Sequence, residues 1–269
     1  MGEINYTYRH KDFDLNLAYY YTMVLQVNST LFTYAVFYND RLMALAENCI
    51  LEELVEPTEM VNELLANFKD VVVGVDAEAF TIVPAELYST DKVAGYARFF
   101  DVKEDEKVLA QQLDDDNFII YKIKAVVFEA IGKFNLDRCV HSSRGWINVI
   151  ANTNPAYNTI YINIEEGVAE LLRFKNGKLR LYNTFEYKTA DDLAYAVSVV
   201  FKQMGVLQRE VHLYLSGAAV NREYRARLSE FFPVVDINKL KIAKLPEELN
   251  SGQLLKLSAL LLCVSSEAR

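Results

Sequence analysis

The order of elements between residues 159 and 217 narrows the choice of fold more than any other part of this chain. Segments 160–164, 168–174 and 179–185 are apolar runs of strand length. Asn176-Gly177 joins the last two, because both residues tolerate the positive φ that a tight hairpin turn requires. Thr189 stands three residues before Asp192, a spacing at which the hydroxyl and the carboxylate cap each other's backbone N–H groups and start a helix. Leu193, Val197, Val200, Phe201 and Met204 then fall on one helical face, and Gly205 suits the left-handed residue that closes it. Segment 211–215 is one more strand, ending at Ser216-Gly217. Three strands in a meander, a crossover helix and a further strand define an α/β fold with mixed sheets.

The first half repeats this pattern in outline. Residues 1–15 are polar and read as an arm or an edge strand; 19–27 and 31–38 read as strands separated by Asn28-Ser29-Thr30, and 41–46 as a third after Asn39-Asp40. Pro57-Thr58-Glu59 opens a helix through Phe68, with Val61, Leu64, Leu65 and Phe68 on its buried face. Strands follow at 71–75 and 80–83, and a helix restarts at 84–88. Segment 91–116 is polar and helical in composition, ending in a solvated Asp114-Asp115-Asp116 loop. Segment 118–123 is a strand, 126–134 a helix, and 146–150 either. Asn152-Thr153-Asn154-Pro155 is the strongest linker signal, placing domains at 1–151 and 156–269. Beyond 217, residues 220–231 form a helix bearing Arg222, Arg225 and Arg227, 234–237 a strand, and 251–264 a last helix with an apolar stripe of Leu254, Leu257, Leu261 and Leu262.

Charge separates the two halves. Residues 1–150 hold 13 Lys and Arg against 24 Asp and Glu, whereas residues 151–269 hold 15 against 13. The overall net charge of −9 argues against nucleic-acid binding, which draws its affinity from cations that neutralise phosphates. Cys49, Cys139 and Cys263 are widely spaced with no C-x-x-C, the pattern of free thiols rather than of a disulfide framework or zinc site. The N-terminus lacks the basic-then-apolar order of a signal peptide, and the run 257–264 is far short of a membrane span, so a cytoplasmic protein without membrane insertion is expected.

The element order and its junctions resemble the actin-like proteins, whose two lobes are each an RNase H-like fold. The chain is most similar to the pilus-assembly and cell-division branch, and in particular to an uncharacterised bacterial family of about this length. A strand running into Pro84-Ala85-Glu86-Leu87 is a further feature of the pilus-assembly branch. The resemblance implies a duplicated RNase H-like motif in two lobes flanking a cleft, a hinge at 152–155, and a C-terminal helix that packs back on the second lobe. In that superfamily the first strand of a lobe ends in an Asp-x-Gly turn that meets ATP phosphates, and a later strand of the second lobe ends in a Gly-rich turn beside the adenosine. The matching segments here are Gln26, Asn28, Ser29 and Thr30 in the first half, and Asn163, Glu165, Gly167, Ser216 and Gly217 in the second.

These segments depart from the pattern in one direction. Gln26 and Asn163 are neutral where an acid would hold a hydrated Mg²⁺, and Glu165 stands where a phosphate would approach. Hydrolysis by the ordinary mechanism is therefore not expected, and neither a catalytic residue nor a metal site is assigned. The resemblance leaves a catalytically silent protein that binds other proteins, with a nucleotide held without turnover and a homodimer both compatible with it. The alternative is a sugar-kinase-type phosphotransferase with displaced acids, for which Asp76 is the candidate base. A nuclease would need several convergent carboxylates, one of them where Gln26 stands.

Overall fold

The computed structural model describes residues 6–203 and 205–264, and the chain divides into two compact units, Met1–Gly145 with Ala259–Arg269, and Trp146–Ser258. The first unit runs β1 (Tyr8–Arg9), β2 (Thr22–Val27), β3 (Leu31–Tyr38), β4 (Arg41–Ile50), α1 (Glu52–Val55), α2 (Val61–Leu65), β5 (Asp70–Val75), β6 (Ala79–Pro84), α3 (Val93–Tyr96), β7 (Glu106–Gln112), β8 (Asn117–Lys124), α4 (Ala125–Ile131), β9 (Cys139–His141) and the start of α5 (Arg144–Ala151). The second runs β10 (Thr159–Glu165), β11 (Val168–Lys175), β12 (Lys178–Glu186), α6 (Ala190–Lys202), β13 (His212–Ser216), α7 (Arg222–Ser229), β14 (Val234–Ile237) and most of α8 (Leu255–Ala259).

Each unit is built on the same plan. The first has a sheet in the order β1-β4-β3-β2-β5-β9 and the second one in the order β12-β11-β10-β13-β14. In both, three strands form an antiparallel meander, and two parallel strands extend the sheet from the meander's first strand. The motif is thus duplicated, as expected. A separate antiparallel sheet, β6-β8-β7, completes the first unit.

In the second unit the odd and even positions of β10 part cleanly. Ile160, Ile162 and Ile164 join Leu213 and Leu215 of β13 beneath Leu193, Val197 and Val200 of α6, all fully or nearly buried. Burying each such side chain contributes about 1.5–3 kcal/mol. Thr189 and Asp192 form the expected reciprocal cap on α6, Phe201 packs partly buried against the same core, and Met204 lies outside the described residues. Asn176 and Gly177 both take positive φ at the β11–β12 turn.

Several expectations are corrected. Residues 15–20 form a 3-10 turn capped by the Asp14 carboxylate, so the strand starts at Thr22 and not at 19. The expected arm contributes β1 at the edge of the sheet beside β4, and its first five residues lie outside those described. The 57–68 helix shrinks to Val61–Leu65, and Leu65 is solvent-exposed. Its opening residues instead wrap round the buried Glu53 carboxylate, which accepts the N–H groups of Thr58, Glu59 and Met60. Segment 106–112, helical by composition, is strand β7, because pairing with β8 over its whole length outweighs local propensity. Residues 84–88 hold only one 3-10 turn, and α7 starts two residues later than expected because the Asn221 side chain caps it.

Asn152 to Asn154 close the end of α5 rather than forming a linker. Their N–H groups bond the carbonyls of Asn148, Ile150 and Ala151, and Asn154 takes a positive φ. The division between units falls at Gly145–Trp146, inside the helix. The last helix is also shared out. Leu255–Ser258 belong to the second unit, whereas Ala259 onward belongs to the first, where a Cβ at Gly74 of β5 would come 2.6 Å from the Leu260 side chain.

Candidate functional site

Parallel strands end together, and ligands of α/β sheets gather where they end. In the second unit this edge is formed by β10 and β13, paired with Asn163 opposite Ser216. Asn163 also faces Glu170 across the antiparallel β10–β11 pair, so three polar residues stand in one row on the face opposite the Ile160–Ile164 core. The row is sealed from solvent, with Asn163 0% exposed, Ser216 1% and Glu170 4%, and Lys256 of α8, which reaches Glu170, is 5% exposed.

Burial on this scale requires that each polar group find a partner, and they find one another. Glu170 accepts the Tyr182 hydroxyl at 2.8 Å and the Asn163 amide at 3.1 Å, and its carboxylate lies 3.1 Å from the Lys256 ammonium. The Asn163 amide also donates to Glu165 at 3.0 Å, and its carbonyl oxygen accepts from Ser216 at 3.3 Å. Burial pushes the Glu165 carboxyl up. Lys256, the Asn163 amide and the Ala218 N–H act in the opposite direction without cancelling that effect.

The turn after β13 closes over the same strand end. Ala219 N–H donates to Ile164 O at 3.0 Å, and Gly217 N–H to Gly252 O at 2.9 Å. Gly217 has φ +108, and a Cβ there would come 2.3 Å from Ile164 O. Both the conformation and the space demand glycine. Gly167 sits two residues past Glu165 in the β10–β11 turn with φ +74, and its carbonyl accepts from Tyr187 N–H. Beside Ser216 and Gly217 opens a cavity of about 270 Å³, lined also by Val220, Asn221, Arg222, Arg225 and Asn250. Arg225 donates to Val235 O, while Arg227 pairs with Asp191 and Glu230 away from this cavity.

In the first unit the equivalent strand ends, β2, β5 and β9, hold a second polar cluster. Asp76 accepts the Ser142 hydroxyl on one carboxylate oxygen and the Gln26 amide, at 3.4 Å, on the other. Ser142 N–H bonds Val75 O and Asp76 N–H bonds Val27 O, so the backbone of all three strands is pinned there. His141 is buried edge-on to Phe80 and Tyr121, and its Nδ1 accepts Ser143 N–H. Asn28, Ser29 and Thr30 stand apart and exposed: the Asn28 side chain accepts the N–H groups of Thr30 and Leu31 and caps its own turn.

The structure therefore brings Asn163, Glu165, Ser216 and Gly217 together, places Gly167 at the neighbouring turn, and separates Gln26 from Asn28–Thr30. Sequence reasoning missed Glu170, Tyr182, Lys256 and the Ser142–Asp76 bond. Two of these left a mark: Glu170 and Lys256 are single charges of opposite sign inside otherwise apolar runs. The residues do not fit a Mg²⁺-ATP centre, since amides stand where a hydrated dication needs carboxylates, and the two nearby carboxyls, Glu165 and Glu170, accept from the protein's own donors. Among the described residues no group of three or more His, Cys, Asp or Glu could hold a metal ion, and no helix is long and apolar enough to cross a membrane.

A protein from Bacteroides thetaiotaomicron with an actin-like ATPase fold and unknown function superposes at a TM-score of 0.76 and 20% identity, over 93% of this chain and 99% of that one. PilM, from a PilM–PilN type IV pilus biogenesis complex, superposes at 0.59 and 12% identity, over 91% and 98%. The duplicated sheets thus define an actin-like ATPase fold. At the level of sequence, residues 10–235 match the family described as protein of unknown function DUF3822, and the chain belongs to that family. No curated protein matches it.

Proposed function

We propose that this chain is a catalytically silent member of the actin-like fold that works in the cytoplasm by binding another protein. The observation that carries the reading is the closed network at the end of β10. A backbone N–H at such a turn is what a bound phosphate would use. Here the Gly217 and Ala219 N–H groups go to Gly252 O and Ile164 O, while Asn163, Glu170, Ser216 and Lys256 satisfy one another. Glu165 repels a phosphate, and the cluster's two carboxylates, Glu165 and Glu170, are already engaged by the protein's own donors instead of a dication. The uneven charge of the two halves supports a protein partner, as does the likeness to PilM, which is seen with PilN. The test is phosphate release by the purified full chain with ATP and magnesium. No magnesium-dependent release is expected, and release abolished by Gln26→Ala or Asn163→Ala overturns the proposal.

The cavity beside Ser216 and Gly217 favours a second reading, a nucleotide held without turnover. A rise in melting temperature with ATP that is independent of magnesium supports it, and the absence of any shift removes it. A rise that requires magnesium instead favours the kinase-type alternative, in which Asp76 would have to exchange its bonds to Ser142 and Gln26 for substrate.

A further inference from the structure

The second unit carries another concavity, on the β11–β12 hairpin below the last turn of α6. Between Glu170 and Glu186 the sequence holds four basic residues and no acid. A cavity of about 520 Å³ gathers three of them, Arg173, Lys175 and Arg180, with Leu181 and Val200 supplying apolar wall and Gln203 a side-chain amide. That volume lies in the range of small-molecule sites.

Arg180 reaches this cavity because of a bulge. Arg173 pairs with Leu181 and Phe174 with Leu179, so Arg180 is the extra residue of β12. A bulge re-aims a side chain, and this one adds a second guanidinium to the side occupied by Arg173. The two cations repel, and burial together with Arg180 lowers the pKa of the half-buried Arg173. The Arg173 Nε donates to Tyr157 O. Among the described residues no carboxylate pairs with Arg173, Lys175 or Arg180. The C-terminal end of α6 contributes only about half a negative charge, against three full positive ones.

We propose that this cavity is a binding site for the phosphate group of a small phosphorylated molecule or for a free pyrophosphate. Two converging guanidiniums and an ammonium call for a compact group of more than one negative charge. A phosphate monoester carries about −1.5 to −2 where a single carboxylate carries one. The cavity exceeds the size of one phosphate, and Leu181 and Val200 offer contact for an organic body.

The site is tested by calorimetric titration of the full chain with inorganic pyrophosphate at low salt. Saturable binding is expected, weakened about tenfold or more by Arg180→Gln through loss of a charged hydrogen bond. Arg41→Gln, an exposed residue of the first unit, leaves that affinity unchanged. Arg180 is exposed, so its replacement does not threaten folding, and the unliganded melting temperature checks this. Glucose 6-phosphate in place of pyrophosphate distinguishes the two sources: tighter binding assigns the site to a phosphorylated organic molecule, weaker binding to the free anion. The proposal is overturned if Arg180→Gln binds like the parent, if succinate at equal ionic strength binds equally well, or if only long single-stranded DNA binds.

Discussion

Replacing Lys256 by methionine tests the buried network from its most isolated member. Lys256 and Glu170 are each about 95% enclosed, and the ammonium lies 3.1 Å from the carboxylate. Methionine keeps most of the aliphatic stem and removes only the charge. A surface pair lost in this way would cost under about 1 kcal/mol. A buried one leaves its partner without a counter-charge and typically costs about 3–5 kcal/mol. Glu170 retains the Tyr182 hydroxyl and the Asn163 amide, which places the expected loss near the lower end, about 3 kcal/mol. For a chain of this size that corresponds to a fall in melting temperature of about 6–12 °C. Trp146 is the chain's single tryptophan, fully buried in the second unit, so its fluorescence reports the transition. The double variant Glu170→Gln/Lys256→Met closes a cycle and should recover part of the loss, about 1–3 kcal/mol relative to the sum of the singles. A fall below about 2 °C, or strict additivity in the cycle, would refute the coupling.

Acid should weaken the first unit before the second. Burial raises the Glu53 carboxyl, but the Thr58 hydroxyl and the N–H groups of Met60, Thr58 and Glu59 outweigh it and hold it at about 2. Lys103 N–H, followed by Lys122, likewise holds Glu106 at about 2. Depressed carboxyls stabilise above the unfolded value of 4.5 and lose that effect as pH falls toward 2, so hydrogen exchange in α1 and β7 should accelerate across this window, and unchanged protection at pH 3 would contradict it. Glu165 has the opposite sign: its raised carboxyl stabilises only at low pH and loses that contribution as pH rises, so Glu165→Gln should melt higher than the parent at pH 8, with the gap closing toward pH 4. Gly217→Ala combines a left-handed backbone with a Cβ 2.3 Å from Ile164 O and should cost more than about 2 kcal/mol in urea unfolding; a neutral outcome would mean that the turn can open.

What could be read from the amino acids was whatever is decided locally. The Asn176-Gly177 hairpin and the Thr189–Asp192 cap depend on residues within a few positions of each other, and both are present. The duplicated sheet order followed from the same kind of signal. Strand β7 was not legible, because its polar composition is overruled by a partner strand that supplies every ladder bond. The turn at 152–154 looked like a linker because the residues that cap a helix are those that populate loops. That Asn163, Glu165, Ser216 and Gly217 lie together followed from their position at strand ends. Glu170 and Lys256 escaped because each meets its partner from a distant element, and only their opposite signs within apolar runs hinted at the pairing.

The first unit is discontinuous in sequence, and that sets an order of assembly. Residues 1–145 leave the ribosome before the second unit, yet the segment from Ala259 that packs Leu260 over β5 is made after it. At about 5–20 residues per second, synthesis of the intervening stretch lasts roughly 6–23 s. Throughout that interval the nascent sheet lacks its cover over β5, while the second unit is contiguous in sequence. The sheet whose strands are made before the second unit is thus completed after it, and a stall or truncation before Ala259 damages a unit built mostly from residues 1–145.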